Sequence, residues 1–150
     1  MKLSQLFLAL IVVTACAAAP PEKPWSVTVS TSGGFTGKGI GAWTITSDGN
    51  VLVRKMNREE CSFKLTNDEL DHLTSVLANA KPERWRESYV PENTCCDRIE
   101  YSLQYDEAGH VEATRWLDAP PPMPKDLAAL ADAVVGGEKS IRAMSAERCK

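Results

Sequence analysis

The sequence predicts an α+β domain, with a mostly antiparallel sheet of about five strands and two helices on one face of the sheet, in the chain order βββαββα. Two observations predict this class. Segments that alternate apolar and polar residues are joined by short turns, which favours antiparallel pairing. Two other segments repeat apolar residues at the spacing of a helix, and each has a signal for its start or its end.

The first part of the domain predicts three strands. Residues 25–31 alternate and are rich in β-branched side chains, and the glycine-rich segment 32–37 then breaks the strand. Residues 40–46 resume it, and residues 47–50 form a hairpin turn around an Asp-Gly pair. Residues 51–56 are the returning strand.

A capping box predicts the start of the first helix. The Thr66 hydroxyl can accept from the Glu69 amide while the Glu69 side chain reaches back to Thr66. The helix ends before Pro82. Its apolar face carries Leu70, Leu73, Val76, Leu77 and Ala80.

The second part of the domain predicts a hairpin and a helix. Residues 98–105 and 110–117 are strands joined by a turn, and residues 119–124 form a proline-rich connector. The helix that follows stops at a Gly-Gly pair, and residues 138–150 are a polar tail held at its end by Cys149. The apolar face of this helix carries Leu127, Leu130, Ala131 and Val134.

The N-terminal residues predict a secretory signal. Residues 1–15 contain one lysine and then a mainly apolar stretch, too short for the about 20 residues that span a bilayer. The end of this stretch resembles the lipobox of bacterial lipoproteins through Val13, Thr14, Ala15 and Cys16. That resemblance implies diacylglycerol on the Cys16 thiol, cleavage before Cys16 and acylation of the new amine, with palmitate as the expected acyl group. Two acyl chains suffice for stable anchoring.

The residues after the lipobox predict where the protein is anchored. No Asp follows Cys16, so we expect the outer membrane rather than the inner one, with the domain facing the periplasm. Residues 16–24 are the lipidated tether, and residues 25–150 are one domain. The alternative is an ordinary secretory cleavage site within residues 15–19.

The charge of the chain argues against a nucleic-acid partner. The formal net charge is −3, and removal of Lys2 with the signal leaves 16 basic against 20 acidic residues, a charge of −4. Nucleic-acid binding requires a basic stripe that displaces counterions from phosphate. The charge predicts no other partner.

The cysteines predict two disulfides. With Cys16 modified, Cys61, Cys95, Cys96 and Cys149 remain, and an even number in an oxidising compartment indicates a disulfide framework. A bond between adjacent Cys95 and Cys96 requires a strained ring. We therefore expect Cys61 to pair with one of these two and Cys149 with the other. No C-x-x-C occurs, which argues against a zinc site or a redox pair.

The sequence predicts no enzyme and no cofactor. It contains no G-x-S-x-G, S-x-x-K or H-E-x-x-H motif, and we interpret His72 and His110 as solvated surface residues. Trp43 and Trp116 are predicted core residues, and Trp85 is a candidate binding or capping residue. We interpret the following carboxylates as members of solvated faces: Glu59, Glu60, Asp68, Asp71, Asp97 and Glu100.

The glycine-rich segment is the candidate contact loop. It lacks the Lys-Ser/Thr pair and the following helix of a phosphate-binding loop. A loop of this kind can present Phe35 to a partner as an aromatic anchor, and the alternative is that Phe35 folds back over the edge of the core. The predicted contact residues are Ser32, Gly33, Gly34, Phe35, Thr36 and Gly37.

The same loop resembles the opening of the emfourin family, small protein inhibitors of thermolysin-like (M4) zinc metalloproteases. The resemblance extends over residues 25–130 and includes the helix opening at Leu65 and Thr66, a strand with Tyr101 and Leu103, and a proline before a leucine-rich helix. It implies an inhibitor that occludes a protease cleft with this loop. The family lacks this lipobox and these four cysteines. The alternative function is a non-inhibitory envelope lipoprotein that binds another protein in a structural or assembly role.

Overall fold

The computed structural model describes residues 23–35, 39–57, 59–92, 97–118 and 120–150. The predicted signal, the lipobox with Cys16 and most of the predicted tether therefore lie outside the described residues. The strands are β1 (Trp25–Gly33), β2 (Ala42–Thr46), β3 (Asn50–Arg54), β4 (Glu60–Lys64), β5 (Ser88–Tyr89), β6 (Ile99–Glu107) and β7 (His110–Leu117). The helices are α1 (Asn67–Ala78), α2 (Lys125–Ala131) and α3 (Ile141–Arg148), with a 3₁₀ turn at Pro82–Arg84 and a π-helical turn at Asp132–Gly136.

The strands form one sheet in the order β4-β3-β2-β1-β6-β7-β5. Every pairing is antiparallel except that of β5 with β7. The α+β class and the mostly antiparallel sheet are thus confirmed, but the prediction of about five strands is wrong. The structure adds β4 at one edge and the two-residue β5 at the other.

The helices cover one face of this sheet. Alternate residues of β1 point into the core because side chains along a strand alternate between faces, and Val27 and Val29 are fully buried. The other face carries small hydroxyl side chains, among them Thr28 and Thr44, whose oxygens lie 3.1 Å apart. A sheet with one packed and one solvated face is usual for antiparallel pairing. The fully buried side chains of the core include Val27, Val29, Ile45, Val51, Leu103, Leu127, Leu130 and Val134.

Both predicted helices are present. At the start of α1 the Glu69 amide donates to Thr66 Oγ1 at 3.3 Å and the Thr66 amide donates to Glu69 Oε2 at 2.8 Å, so the predicted capping box is confirmed. Leu73 and Leu77 of α1 are buried against the sheet. No helix in the described part of the chain is long and apolar enough to cross a membrane.

A third helix, α3, lies in the segment that was predicted as a polar tail. Ser140 caps its start by accepting from the Ala143 amide at 3.2 Å, and Ile141 is buried. At its other end, Arg148 forms two hydrogen bonds to the Glu69 carboxylate of 3.1 and 2.5 Å. This guanidinium holds the pKa of Glu69 below its ordinary value. The C-terminal segment is therefore packed on the domain.

The disulfide pairing differs from the prediction. Cys61 of β4 is bonded to Cys149 at the end of α3, with Cα atoms 5.8 Å apart. The expected pairing of Cys61 with Cys95 or Cys96, and of Cys149 with the other of these, is therefore wrong. The physical reason is α3, which returns the C-terminus to the edge strand. Cys95 and Cys96 lie outside the described residues, and the role of Cys149 in holding the C-terminal segment is confirmed.

Candidate functional site

The loop between β1 and β2 presents the most exposed large hydrophobic side chain in the described part of the chain. Phe35 is 93% exposed, whereas the other three exposed large hydrophobics have 38–50% of their area in solvent. Phe35 therefore does not fold back over the edge of the core. An aromatic ring on a loop above a rigid sheet is available as an anchor for a partner.

Two glycines direct the chain through the base of this loop. Gly33 and Gly39 both have positive φ, of +78° and +71°, a conformation that costs other residues about 1–2 kcal/mol. A Cβ at Gly33 would overlap the Arg98 carbonyl oxygen, and one at Gly39 would lie 2.5 Å from the Thr31 carbonyl oxygen. Both positions require glycine for space as well as for backbone conformation.

Thr31 joins the two sides of the loop base. Its amide donates to the Gly41 carbonyl at 3.0 Å, and its hydroxyl donates to the same oxygen at 2.7 Å. The hydroxyl also accepts from the amides of Ile40 and Gly41, at 2.7 and 2.9 Å. The sequence predicts Thr31 at the end of a strand and indicates no role for it in the loop.

Two backbone hydrogen bonds complete the base. The Gly39 amide donates to the Gly33 carbonyl at 2.8 Å, and the Gly34 amide donates to the Arg98 carbonyl at 2.9 Å. The second bond attaches the loop to the residue that precedes β6. A loop whose base is fixed in this way loses less conformational entropy on binding than a free loop.

The structure divides the six predicted contact residues into three groups. Ser32 and Gly33 belong to β1, where they pair with Glu100 and Ile99 of β6, so the strand is two residues longer than predicted. Gly34 and Phe35 lie in the loop itself. Thr36 and Gly37 lie outside the described residues.

The loop lies at the same end of the sheet as the turn between β3 and β4. The two are neighbours because β2 pairs with β3, with Ala42 opposite Arg54. Met56 in that turn is 46% exposed. The chain also enters β6 and leaves β7 at this end of the sheet. We call this end the tip, and its described parts are residues 34–35, 39–41, 55–57, 59, 97–98 and 118.

Three basic side chains in or next to the described parts of the tip are engaged within the domain. Arg54 lies 2.9 Å from Glu60, and Arg98 lies 3.0 Å from Asp118. Lys55 Nζ donates to the Cys149 carbonyl at 2.7 Å. Exposed ion pairs of this kind contribute little to stability, but they reduce the positive charge offered to a ligand.

The tryptophan predictions are confirmed where the structure tests them. Trp43 and Trp116 are core residues, with 4% and 3% of their area exposed. Trp85 is half-buried, and its Nε1 donates to Asp126 at 2.9 Å, which links the segment after α1 to α2. Burial opposes ionisation of Asp126, but hydrogen bonds from Trp85 and Lys81 outweigh it and lower the pKa of this carboxyl. Trp85 thus joins two segments of the domain through its side chain.

The titratable residues of the sequence analysis are mainly at the surface. His72 and His110 are both exposed, as predicted. Of the six carboxylates interpreted as solvated, five are exposed and Glu100 is half-buried, 3.7 Å from Arg115. No group of three or more potential ligands in the described part of the chain is arranged to hold a metal ion.

One hollow outside the tip contains titratable groups. It has an empty volume of about 740 Å³, includes open solvent and lies between the end of α1 and the β6–β7 hairpin. Tyr105, Glu107, His110 and Glu112 contribute to its wall. Burial raises the pKa of Tyr105, so this phenol is a neutral donor at neutral pH. No serine, threonine or cysteine is among the described residues that line the hollow.

Comparison with known proteins provides no relative. No family model, no curated protein and no solved structure matches this chain.

Proposed function

We propose that this chain is a lipid-anchored lipoprotein of the outer membrane, facing the periplasm, whose domain binds another protein through Phe35. We further propose that the bound protein is a thermolysin-like metalloprotease, which the domain inhibits. The observation that carries the first proposal is the near-complete exposure of Phe35 above a loop base held by Thr31. The lipobox residues support the anchor, and the resemblance to the emfourin family supports the choice of protease.

Burial of Phe35 by a partner would supply a large share of a binding free energy. Burying a phenylalanine side chain contributes roughly 1.5–3 kcal/mol, or about a 10- to 150-fold change in affinity. Aromatic residues of this kind are common among the few residues that dominate an interface. Most of the Phe35 ring area is in solvent, so nearly all of this gain is available on binding.

The proposed inhibition is occlusion of the protease cleft. The loop would enter the cleft with Phe35 in an apolar subsite, and the sheet behind it would exclude the substrate. The fixed base opposes rearrangement of the loop because its hydrogen bonds would have to break first. This mechanism requires no chemical step on a residue of the chain.

A titration tests the inhibitor proposal. The domain, residues 22–150 with its cysteines oxidised, is added to a thermolysin-type metalloprotease that cleaves a short peptide substrate. We expect stoichiometric loss of protease activity. Full activity at a large excess of the domain would remove the inhibitor proposal. A pull-down from membranes would then identify which envelope protein it binds in a structural or assembly role.

A further inference from the structure

Two exposed apolar side chains lie together at the tip. Phe35 is in the loop between β1 and β2, and Met56 is in the turn between β3 and β4. The centres of these connections are two strand spacings apart, which is about 10 Å. The structure describes four exposed large hydrophobics, and these two share one end of the sheet while Val111 lies at the other. Methionine is flexible and polarisable, so it suits a contact surface beside a fixed aromatic ring.

The chain enters the domain at the end opposite the tip. The Pro24 carbonyl accepts from Ala108 in the β6–β7 turn, and the Trp25 carbonyl accepts from Ser47 in the β2–β3 turn, both at 3.0 Å. From there β1 extends over nine residues toward the loop, a distance of about 30 Å. The tether and Phe35 are therefore separated by the full length of the sheet.

The C-terminus lies beside the edge strand β4. Cys149 is bonded to Cys61, the second residue of β4, and the Cys149 carbonyl accepts from Lys55 in the turn that precedes β4. The neighbouring Arg148 lies over the Phe63 ring, with its Cζ atom 5.1 Å from the ring centroid. The C-terminus is therefore next to Phe63, and β3 and β2 separate it from the loop that carries Phe35.

The position of the entry favours a protein over a lipid surface as the partner of the tip. An anchor on the tether is attached at the end of β1 opposite the loop that carries Phe35. Aromatic and methionine side chains are enriched at the centres of protein interfaces.

We infer that Phe35 and Met56 form one apolar contact surface that faces away from the membrane in the anchored protein, where its partner is a second protein with an apolar cleft about 10 Å long. The inference rests on the proposed lipid anchor. It goes beyond that proposal by adding Met56 and by orienting the domain so that the tip faces away from the membrane.

Paramagnetic relaxation from a membrane tests this orientation. The mature lipidated chain from Cys16 contains two of the three phenylalanines, Phe35 at the tip and Phe63 in β4 toward the entry end. The chain is labelled with 4-fluorophenylalanine and methyl-¹³C methionine and inserted into nanodiscs that carry a gadolinium lipid. Phe35→Leu and Met56→Leu variants assign the resonances. The matched control is the same chain in nanodiscs that carry a diamagnetic lutetium lipid in place of the gadolinium lipid.

The gadolinium lipid is expected to broaden the Phe63 resonance more than those of Phe35 and Met56, and the diamagnetic lipid is expected to leave all three resonances unchanged. Equal or stronger broadening of Phe35 and Met56 with the native anchor would overturn the inference, because the tip would then touch the lipid. A mature chain that does not enter the nanodiscs would overturn both the anchor and the inference. Inhibition of a protease in solution is a separate readout that neither outcome changes.

Discussion

Replacement of both Cys61 and Cys149 by alanine is expected to lower the free energy of unfolding by about 4–5 kcal/mol. The bond joins residues 88 positions apart, so its loss releases a long loop in the unfolded chain. The same change frees α3, whose Arg148 and Ile141 contacts depend on the position of the C-terminus. Urea unfolding at 25 °C would measure the change, which is a large part of the 5–15 kcal/mol typical of a domain.

The control for this prediction also tests the pairing. In a Cys95→Ser, Cys96→Ser variant, the Cys61–Cys149 bond should survive, and a digest without reductant should still yield the peptide pair that it joins. Absence of that peptide pair would contradict the Cys61–Cys149 pairing.

Replacement of Gly39 by alanine is expected to lower the free energy of unfolding by about 2–5 kcal/mol. Part of this cost comes from positive φ, and the remainder from the overlap of a new Cβ with the Thr31 backbone and hydroxyl. Because Thr31 holds both sides of the loop base, we also expect weaker binding through Phe35. Urea unfolding and binding are measured on the same variant.

Gly109 provides a matched control. It also has positive φ, of +88°, but no atom lies within 4 Å of the position a Cβ would take. Gly109→Ala should therefore cost only the backbone strain, about 1–2 kcal/mol, and leave binding unchanged. An equal loss of unfolding free energy in Gly39→Ala and Gly109→Ala would contradict the conclusion that the base of the loop is tightly packed at Gly39.

Much of the fold follows from local patterns. β1, β2 and β3 alternate strongly, and a recognisable Asp-Gly turn joins β2 to β3. α1 begins at a complete capping box. These signals lie within short stretches of sequence, and the structure agrees with them. Local patterns were therefore sufficient for the fold class.

The missed elements depend on contacts between distant residues. β4 has only two apolar side chains facing inward, and neither is fully buried. β5 has two residues that pair with β7, and this pairing brings the Arg115 amide to the Glu87 carbonyl at 3.1 Å. α3 is weakly apolar and is fixed by the disulfide and by the Arg148–Glu69 pair. No local pattern predicts contacts over such separations.

The candidate site was predicted in part. The glycine-rich composition located the loop, and the structure determined that Phe35 points into solvent. The role of Thr31 was missed, although a threonine at a strand end beside a glycine-rich turn can bond the backbone locally. The contribution of Met56 depends on the pairing of β2 with β3, which sets its distance from Phe35.

The most direct test of the account is the affinity of Phe35→Ala for the partner, measured beside Val111→Ala as the control at the opposite end of the sheet. The probe is the thermolysin-type protease of the titration, or the membrane protein recovered if that enzyme is not inhibited. Phe35→Ala should weaken binding by about 10- to 150-fold with unchanged stability, and Val111→Ala should have no effect. Unchanged affinity of Phe35→Ala would contradict the account, because the tip would then not be the contact surface.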